Sequence, residues 1–183
     1  MITVERTGLE GLLVLKSRIF VDSRGHFMES FNDSAFHQAT GLNVRFVQDN
    51  ESFSHKGVVR GLHYQVPPHG QAKLVRVVRG RALDICVDIR PDSPTYGQHY
   101  RLLLTEGDGT MLYIPAGFAH GFSALEQGTL FHYKCSAYYQ SAAERTLLWN
   151  DADLAIDWEI NDPLVSDKDR AGTPLLATSW TER

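Results

Sequence analysis

Ala82-Leu-Asp-Ile-Cys-Val-Asp-Ile89 alternates with a period of two: Leu83, Ile85, Val87 and Ile89 fall on one side, Asp84, Cys86 and Asp88 on the other. Successive side chains of an extended chain point to opposite faces, so the pattern predicts a half-buried β-strand. Moving outward, Lys73 to Val78 is a second strand that meets the first at a tight turn around Arg79-Gly80. Gln98 to Leu104, Thr110 to Ile114, Gly117 to Ala124 and Thr129 to Ala137 continue the alternation. Glu106-Gly-Asp-Gly109 and Glu126-Gln-Gly128 supply hairpin turns. Asn32-Asp-Ser-Ala-Phe-His-Gln-Ala-Thr-Gly41 departs from the pattern, opening on capping side chains and closing on glycine as a short helix does. Ser166-Asp-Lys-Asp-Arg170 fits one further helical turn. Many short strands joined by Gly and Pro turns predict an all-β jelly roll, a sandwich or barrel with short peripheral helices.

The 183 residues suit a single domain, 1–183, long enough to bury its own core. With 43% hydrophobic and 22% charged residues, the composition is that of a soluble globular protein, neither disordered nor membrane-spanning. A formal net charge of -4 argues against non-specific nucleic-acid binding, which draws on a basic surface. No apolar run approaches a membrane span, and Met1-Ile-Thr-Val-Glu-Arg lacks the apolar run and cleavage site of a signal peptide. Cys86 and Cys135 are too few for a disulfide framework and sit in apolar runs, where a free thiol behaves as a small buried hydrophobe. The expected setting is the cytoplasm, with neither nucleic acid nor membrane as a partner.

Two stretches carry the chemistry. Gly57-Val-Val-Arg-Gly-Leu-His63-Tyr-Gln65 continues to Lys73 and Gly80, and Gly109-Thr-Met-Leu-Tyr-Ile-Pro115-Ala-Gly117-Phe-Ala-His120 follows. Their spacing resembles the paired motifs of the cupin superfamily, whose first motif gives a metal two histidines and a glutamate and whose second gives one more histidine. His63 and His120 stand at histidine positions, but Gln65 replaces the second ligand and Lys73 the glutamate. An ammonium has no lone pair and the wrong charge to ligate a cation. The resemblance implies a cupin-type barrel whose pocket holds a base, a cation and a proton donor, with no metal.

A histidine in a strand is more often structural than catalytic, but His63 is clustered with Arg60 and Gln65 and followed by a lysine on the next strand. Imidazole is the side chain best matched to proton transfer near neutral pH. Its other ring nitrogen needs an orienting partner, for which Asp84, Asp88 and Asp169 are candidates. Lys73 among Gln71, Leu74 and Val75 reads as an inward-facing cation, not a solvated strand-end lysine. A buried cation beside a base suits stabilisation of a developing enolate, and hence proton abstraction next to a carbonyl. Tyr133 and Tyr139 share strand parity and Tyr138 opposes them; one phenol could return a proton from the far face, and another could stack on a nucleobase. Arg24, Glu29 and Arg60 complete the polar set, and two arginines converging on one mouth would suit a diphosphate.

Six further blocks sharpen this. Asp22-Ser-Arg-Gly25, Glu29-Ser-Phe31, Phe46-Val-Gln-Asp-Asn50, Arg60-Gly-Leu-His-Tyr-Gln65, Lys73-Leu-Val-Arg76 and Ile114-Pro-Ala-Gly-Phe-Ala-His-Gly-Phe122 occur in order, followed by Tyr133-Lys134. From Val4 to Leu176 the chain resembles the dTDP-4-dehydrorhamnose 3,5-epimerase family. The resemblance implies that His63 is the base at carbons 3 and 5 of a 4-keto sugar, with Asp169 as its partner. It likewise makes Lys73 the holder of the enolate oxygen at carbon 4 and Tyr133 the donor from the opposite face. Arg24, Glu29, Gln48, Asn50, Arg60, His120, Glu144 and Lys168 correspond to nucleotide-sugar contacts, and Tyr139 to the aromatic that stacks on thymine. It further implies a homodimer acting on a dTDP-4-keto-6-deoxy sugar without metal or organic cofactor. The rival inside the family is an enzyme that inverts carbon 3 or carbon 5 alone. Outside it stand a metal-dependent cupin, against which Gln65 and Lys73 speak, and a silent sugar-binding module, which would not need a titrating histidine.

Overall fold

The computed structural model describes residues 2–181. Its first elements are β1 (Ile2–Arg6), β2 (Leu13–Ser17), β3 (Ile19–Asp22), β4 (Gly25–Met28) and α1 (Asp33–Thr40). The main strands follow as β5 (Gln48–Ser54), β6 (Val58–Gln65), β7 (Lys73–Arg79), β8 (Arg81–Asp88), β9 (His99–Thr105), β10 (Thr110–Ile114), β11 (Phe118–Ala124) and β12 (Thr129–Cys135). The chain closes with β13 (Glu144–Thr146), β14 (Leu164–Val165) and the single turn α2 (Asp167–Arg170). The ends of α1 follow from its sequence: the Asn32 side chain accepts from Ala35 N–H, and Gly41 takes the left-handed conformation that closes the helix.

One six-stranded sheet runs β1-β2-β10-β7-β12-β5; the other runs β13-β6-β11-β8-β9 with β14 beside β6, and β3-β4 form a separate hairpin. From β9 to β12 each successive strand changes sheet, so the chain wraps two antiparallel layers into a cupin-type jelly roll. Parity then decides what lies between the layers. Val75, Val77, Cys86, Leu112, Phe122 and Phe131 share the interior cluster. Phe122 and Phe131 stack across the two sheets with ring centroids 4.1 Å apart.

The outer faces are covered as well. Phe36 of α1 packs with Leu74, Met111 and Tyr113 on the first sheet. Leu147, Leu154, Trp158 and Leu175 pack with Leu83, Ile85 and Val87 on the second. This corrects the expectation for β8: it is buried on both faces, and Asp84, Cys86 and Asp88 are as inaccessible as the aliphatic residues between them. The alternation is real, but it separates two interiors and not core from solvent.

At one end the interior turns polar. The inward parity of β7 that carries Val75 and Val77 also carries Lys73, and the parity of β11 that carries Phe122 also carries His120. Beside them, β6 and β11 approach closely at Gly61 and Gly121. A Cβ on Gly121 would stand 2.4 Å from the Arg60 carbonyl oxygen, and one on Gly61 2.6 Å from Gly121 Cα. The register shifts between His120 and Phe122, which leaves His63 directly opposite His120. Gly121→Ala is expected to destabilise the protein by about 1–3 kcal/mol through overpacking. Urea unfolding should show a lower midpoint at unchanged slope; an unchanged midpoint would mean that these strands part without penalty.

Candidate active site

The polar end of the barrel is built by bringing the C-terminal turn back to β6. β14 pairs in parallel with Val58 and Val59, which sets α2 beside that strand. Ser166 caps α2, its hydroxyl accepting from Asp169 N–H at 3.2 Å. The capped turn aims Asp169 at β6, where Oδ1 lies 2.5 Å from His63 Nε2 and Oδ2 accepts from Gly61 N–H at 3.3 Å. A carboxylate can only accept, so Nε2 carries the proton and Nδ1 the lone pair. Burial opposes the Asp169 anion, but the bonds from His63, Gly61 and Ser166 outweigh it and hold the carboxyl below the usual range.

The three aspartates that the sequence left open take three different partners. Asp169 meets His63. Asp84 accepts from His120 Nε2 at 2.8 Å, both groups being buried. Asp88 pairs with Arg90 at 2.7 Å and also accepts from Ser93 and Thr95, closing the loop after β8. Burial pushes the His120 ring below the usual imidazole range, against the pull of Asp84, so it serves as a neutral donor.

Lys73 is 8% exposed, and its Nζ donates to the His63 carbonyl oxygen at 3.3 Å. Among the described residues it forms no ion pair. Burial pushes its ammonium below the usual lysine range; Cys135, Cys86, Asp84 and Glu144 oppose that shift. The two thiols are themselves pushed up by burial, so Asp84 and Glu144 supply the lasting negative field. Tyr133, on the adjacent strand, is likewise held in its protonated form by burial.

His63, Lys73 and Tyr133 line one cavity of about 280 Å³ together with Gln48, Asn50, Gln71, Cys135, Tyr139 and Glu144. Hydrogen bonds order its rim: Gln48 Nε2 donates to Asn50 Oδ1 at 3.0 Å, Tyr139 OH donates to Glu144 at 3.0 Å, and Lys168 pairs with Glu144 at 2.7 Å. Tyr139 does not arrive by strand parity as expected, because β12 ends at Cys135; it sits in the following loop, its N–H bonded to Gln48 Oε1. Tyr138 is 66% exposed and lies outside the lining. On the other side of His63 opens a cleft of about 480 Å³ with Arg60, Lys168 and Arg170 along its wall. His63 faces both spaces.

Of the expected contacts, Arg60 and Lys168 line only the cleft, and three others join neither space within this chain. Arg24 is exposed in the turn between β3 and β4 and pairs with Asp22 at 2.6 Å. Glu29 is exposed just beyond that hairpin and accepts from Asn32. His120 lies behind His63, tied to Asp84. The converging arginine pair is therefore replaced, in the cleft on the other side of His63, by Arg60 with Lys168 and Arg170. Sequence reasoning missed Arg170, Gln71 and Cys135 as lining residues; the inward parity of Cys135 with Tyr133 was the available signal for the last.

The donor set fits an organic anion better than a metal. At the two altered motif positions stand the Lys73 ammonium and Gln65, whose amide is engaged by backbone groups. Among the described residues one trio of potential ligands, Asp84, Cys86 and His120, lies within 4.8 Å. It is internally hydrogen-bonded and faces the charge of Lys73. A larger hollow of about 540 Å³, near Tyr64 and Arg145, contains none of the residues assigned to chemistry. Among the described residues, no helix is long and apolar enough to cross a membrane.

The sequence model of the dTDP-4-dehydrorhamnose 3,5-epimerase family matches residues 6–177. The enzyme of that name from Shigella flexneri is 46% identical over 177 residues, 97% of this chain and 98% of the relative. The crystal structure of dTDP-6-deoxy-D-glucose-3,5-epimerase from Legionella pneumophila Philadelphia 1, in complex with dTDP-4-keto-L-rhamnose, superposes with a TM-score of 0.93 at 40% identity. That match covers 98% of this chain and 95% of the other. The dTDP-4-dehydrorhamnose 3,5-epimerase from Bacillus anthracis str. Ames, with TDP and PPi bound, gives 0.92 at 40% identity over 95% and 99%. With His63, Lys73 and Tyr133 around one cavity and likeness along nearly its whole length, this chain belongs to the dTDP-4-dehydrorhamnose 3,5-epimerase family.

Proposed function

We propose that this chain is an isomerase that inverts carbons 3 and 5 of dTDP-4-dehydro-6-deoxy-D-glucose, giving dTDP-4-dehydro-L-rhamnose. The observation that carries the mechanism is the shared cavity of His63, Lys73 and Tyr133, with Asp169 fixing the tautomer of the base. Both carbons flank the same ketone, so both proton abstractions send their electron pair to the same oxygen at carbon 4. One fixed ammonium, Lys73, can therefore stabilise both enolates, and it does so most strongly where water is excluded. His63 Nδ1 takes the proton, the enolate forms, and Tyr133 OH returns a proton to the opposite face. His63 and Tyr133 then re-equilibrate with solvent. Arg60 and Lys168 line the cleft beside His63 and suit the diphosphate; Tyr139, Gln48, Asn50 and Glu144 line the cavity mouth and suit the nucleoside sugar.

A homodimer is part of this reading. Arg24 and Glu29 can touch a substrate only if the β3-β4 hairpin serves a neighbouring subunit. Its apolar residues Phe20, Val21 and Phe27 are 49%, 79% and 69% exposed, as a surface awaiting a second copy would be. Both cysteines are free thiols, in keeping with a cytoplasmic location.

Turnover in heavy water should place deuterium at both carbon 3 and carbon 5, and His63→Asn should lower kcat by about 10²–10⁴-fold. Label at one carbon alone would make the protein a mono-epimerase, and an unaffected His63→Asn would remove His63 as the base. Lys73→Met should lose activity by about 10²–10³-fold while unfolding at higher denaturant than the wild type near neutral pH. The sign follows from the lowered folded-state pKa: the unfolded chain binds the proton more tightly, so the penalty is full below the folded pKa. It is relieved as pH climbs from there to the ordinary lysine value of about 10.4, and the advantage of Lys73→Met should shrink over that window. Sedimentation equilibrium should return about twice the chain mass of 20.6 kDa; a monomer at all concentrations would exclude Arg24 and Glu29 from the site.

A further inference from the structure

Gln65 is the one altered motif position to which the reaction gives no role. It is 5% exposed, lies two residues from His63 on β6, and belongs to the lining of the same cavity. Its amide nonetheless turns to the backbone. Nε2 donates to His69 O at 2.7 Å and to Tyr138 O at 3.4 Å, and Oε1 accepts from Gln140 N–H at 2.7 Å. Two of these partners bracket Tyr139.

Between the end of β12 and the 3₁₀ turn Ser141–Ala143 only Ser136 continues the pairing, its N–H donating to Ala72 O at 2.9 Å, and the segment 137–140 forms no strand. Packing does little for it, since Tyr138 and Tyr139 are 66% and 52% exposed. Its polar groups are instead taken up by three side chains: Gln71 holds Ala137 O, Gln65 holds Tyr138 O and Gln140 N–H, and Gln48 holds Tyr139 N–H. Glu144 secures the phenol tip of Tyr139. We propose that Gln65 is a positioning residue for the nucleotide end of the site, standing in for an absent strand and fixing the loop that presents the Tyr139 ring to the base of a deoxynucleoside diphosphate. The inference rests on the reading of Tyr139 as the stacking aromatic. The job requires a donor and an acceptor on one short planar group, which a carboxylate or a thioether does not offer.

The test is a double-mutant cycle read by calorimetric titration with dTDP and by steady-state kinetics. Gln65→Met should weaken dTDP binding and raise KM by about tenfold, as expected for two lost hydrogen bonds, with kcat within about threefold of wild type. Gln65→Met combined with Tyr139→Ala should bind dTDP no more weakly than Tyr139→Ala alone, because a clamp has nothing to hold once the ring is gone. If Gln65→Met does not fold, Gln65→Glu, which keeps the acceptor for Gln140 N–H and loses the donors to Tyr138 O and His69 O, should weaken dTDP binding in the same direction and lose that effect beside Tyr139→Ala. A fall in kcat at unchanged dTDP affinity, or an effect that adds in full to Tyr139→Ala, overturns the clamp while leaving Tyr139 as the stacking residue. Wild-type dTDP affinity in Tyr139→Ala alone removes the stacking reading and the clamp with it.

Discussion

A single ammonium withdrawn from water sets the terms for this molecule. Lys73 sits on the inward face of β7 in line with Val75 and Val77, where a valine would pack better and be far cheaper to desolvate. Its charge is sustained at a distance by Asp84 and Glu144 and locally by the His63 carbonyl. The low polarity that makes the cation expensive is also what lets it act strongly on a developing negative charge. Much of the surrounding geometry serves that compromise: Asp84 is occupied by His120, Asp169 by His63, and each buried carboxylate has its own donor.

How much of this was legible in the sequence depends on whether the signal was local. Period two placed β7, β8, β10 and β11, because side-chain direction in a strand follows from position alone, while motif position and apolar neighbours marked Lys73 as inward-facing. Caps at Asn32 and Gly41 fixed α1 for the same reason. What covers a sheet is a different matter. Nothing near Asp84-Ile85-Cys86 announces that Leu154, Trp158 and Leu175 will pack over the far side of β8, so a strand buried twice was read as buried once.

The site divides along the same line. His63, Gln65 and Lys73 lie on regular strands and are assigned to one pocket by the likeness of their spacing to the cupin motifs, whereas Tyr133 is assigned to it by the family resemblance. Pairing His63 with Asp169 and not Asp84 or Asp88 depends on how a distant turn docks, which composition does not encode; the family resemblance supplied it. Tyr139 reached the cavity by a loop held through Gln48 and Gln65, where strand parity has no meaning. Arg24, in the β3-β4 turn, and Glu29, just beyond that hairpin, matched family motifs yet neither lines this chain's own cavity.

The bond between His63 and Asp169 joins residues separated by 106 positions. A growing polypeptide acquires its imidazole 106 residues before its orienting carboxylate, and the loop between them must close before either is useful. A prematurely terminated product could keep most of both sheets and still carry a histidine free to choose the wrong tautomer. Catalytic competence therefore acts as a checkpoint on docking: seating α2 beside β6 is what arms the base.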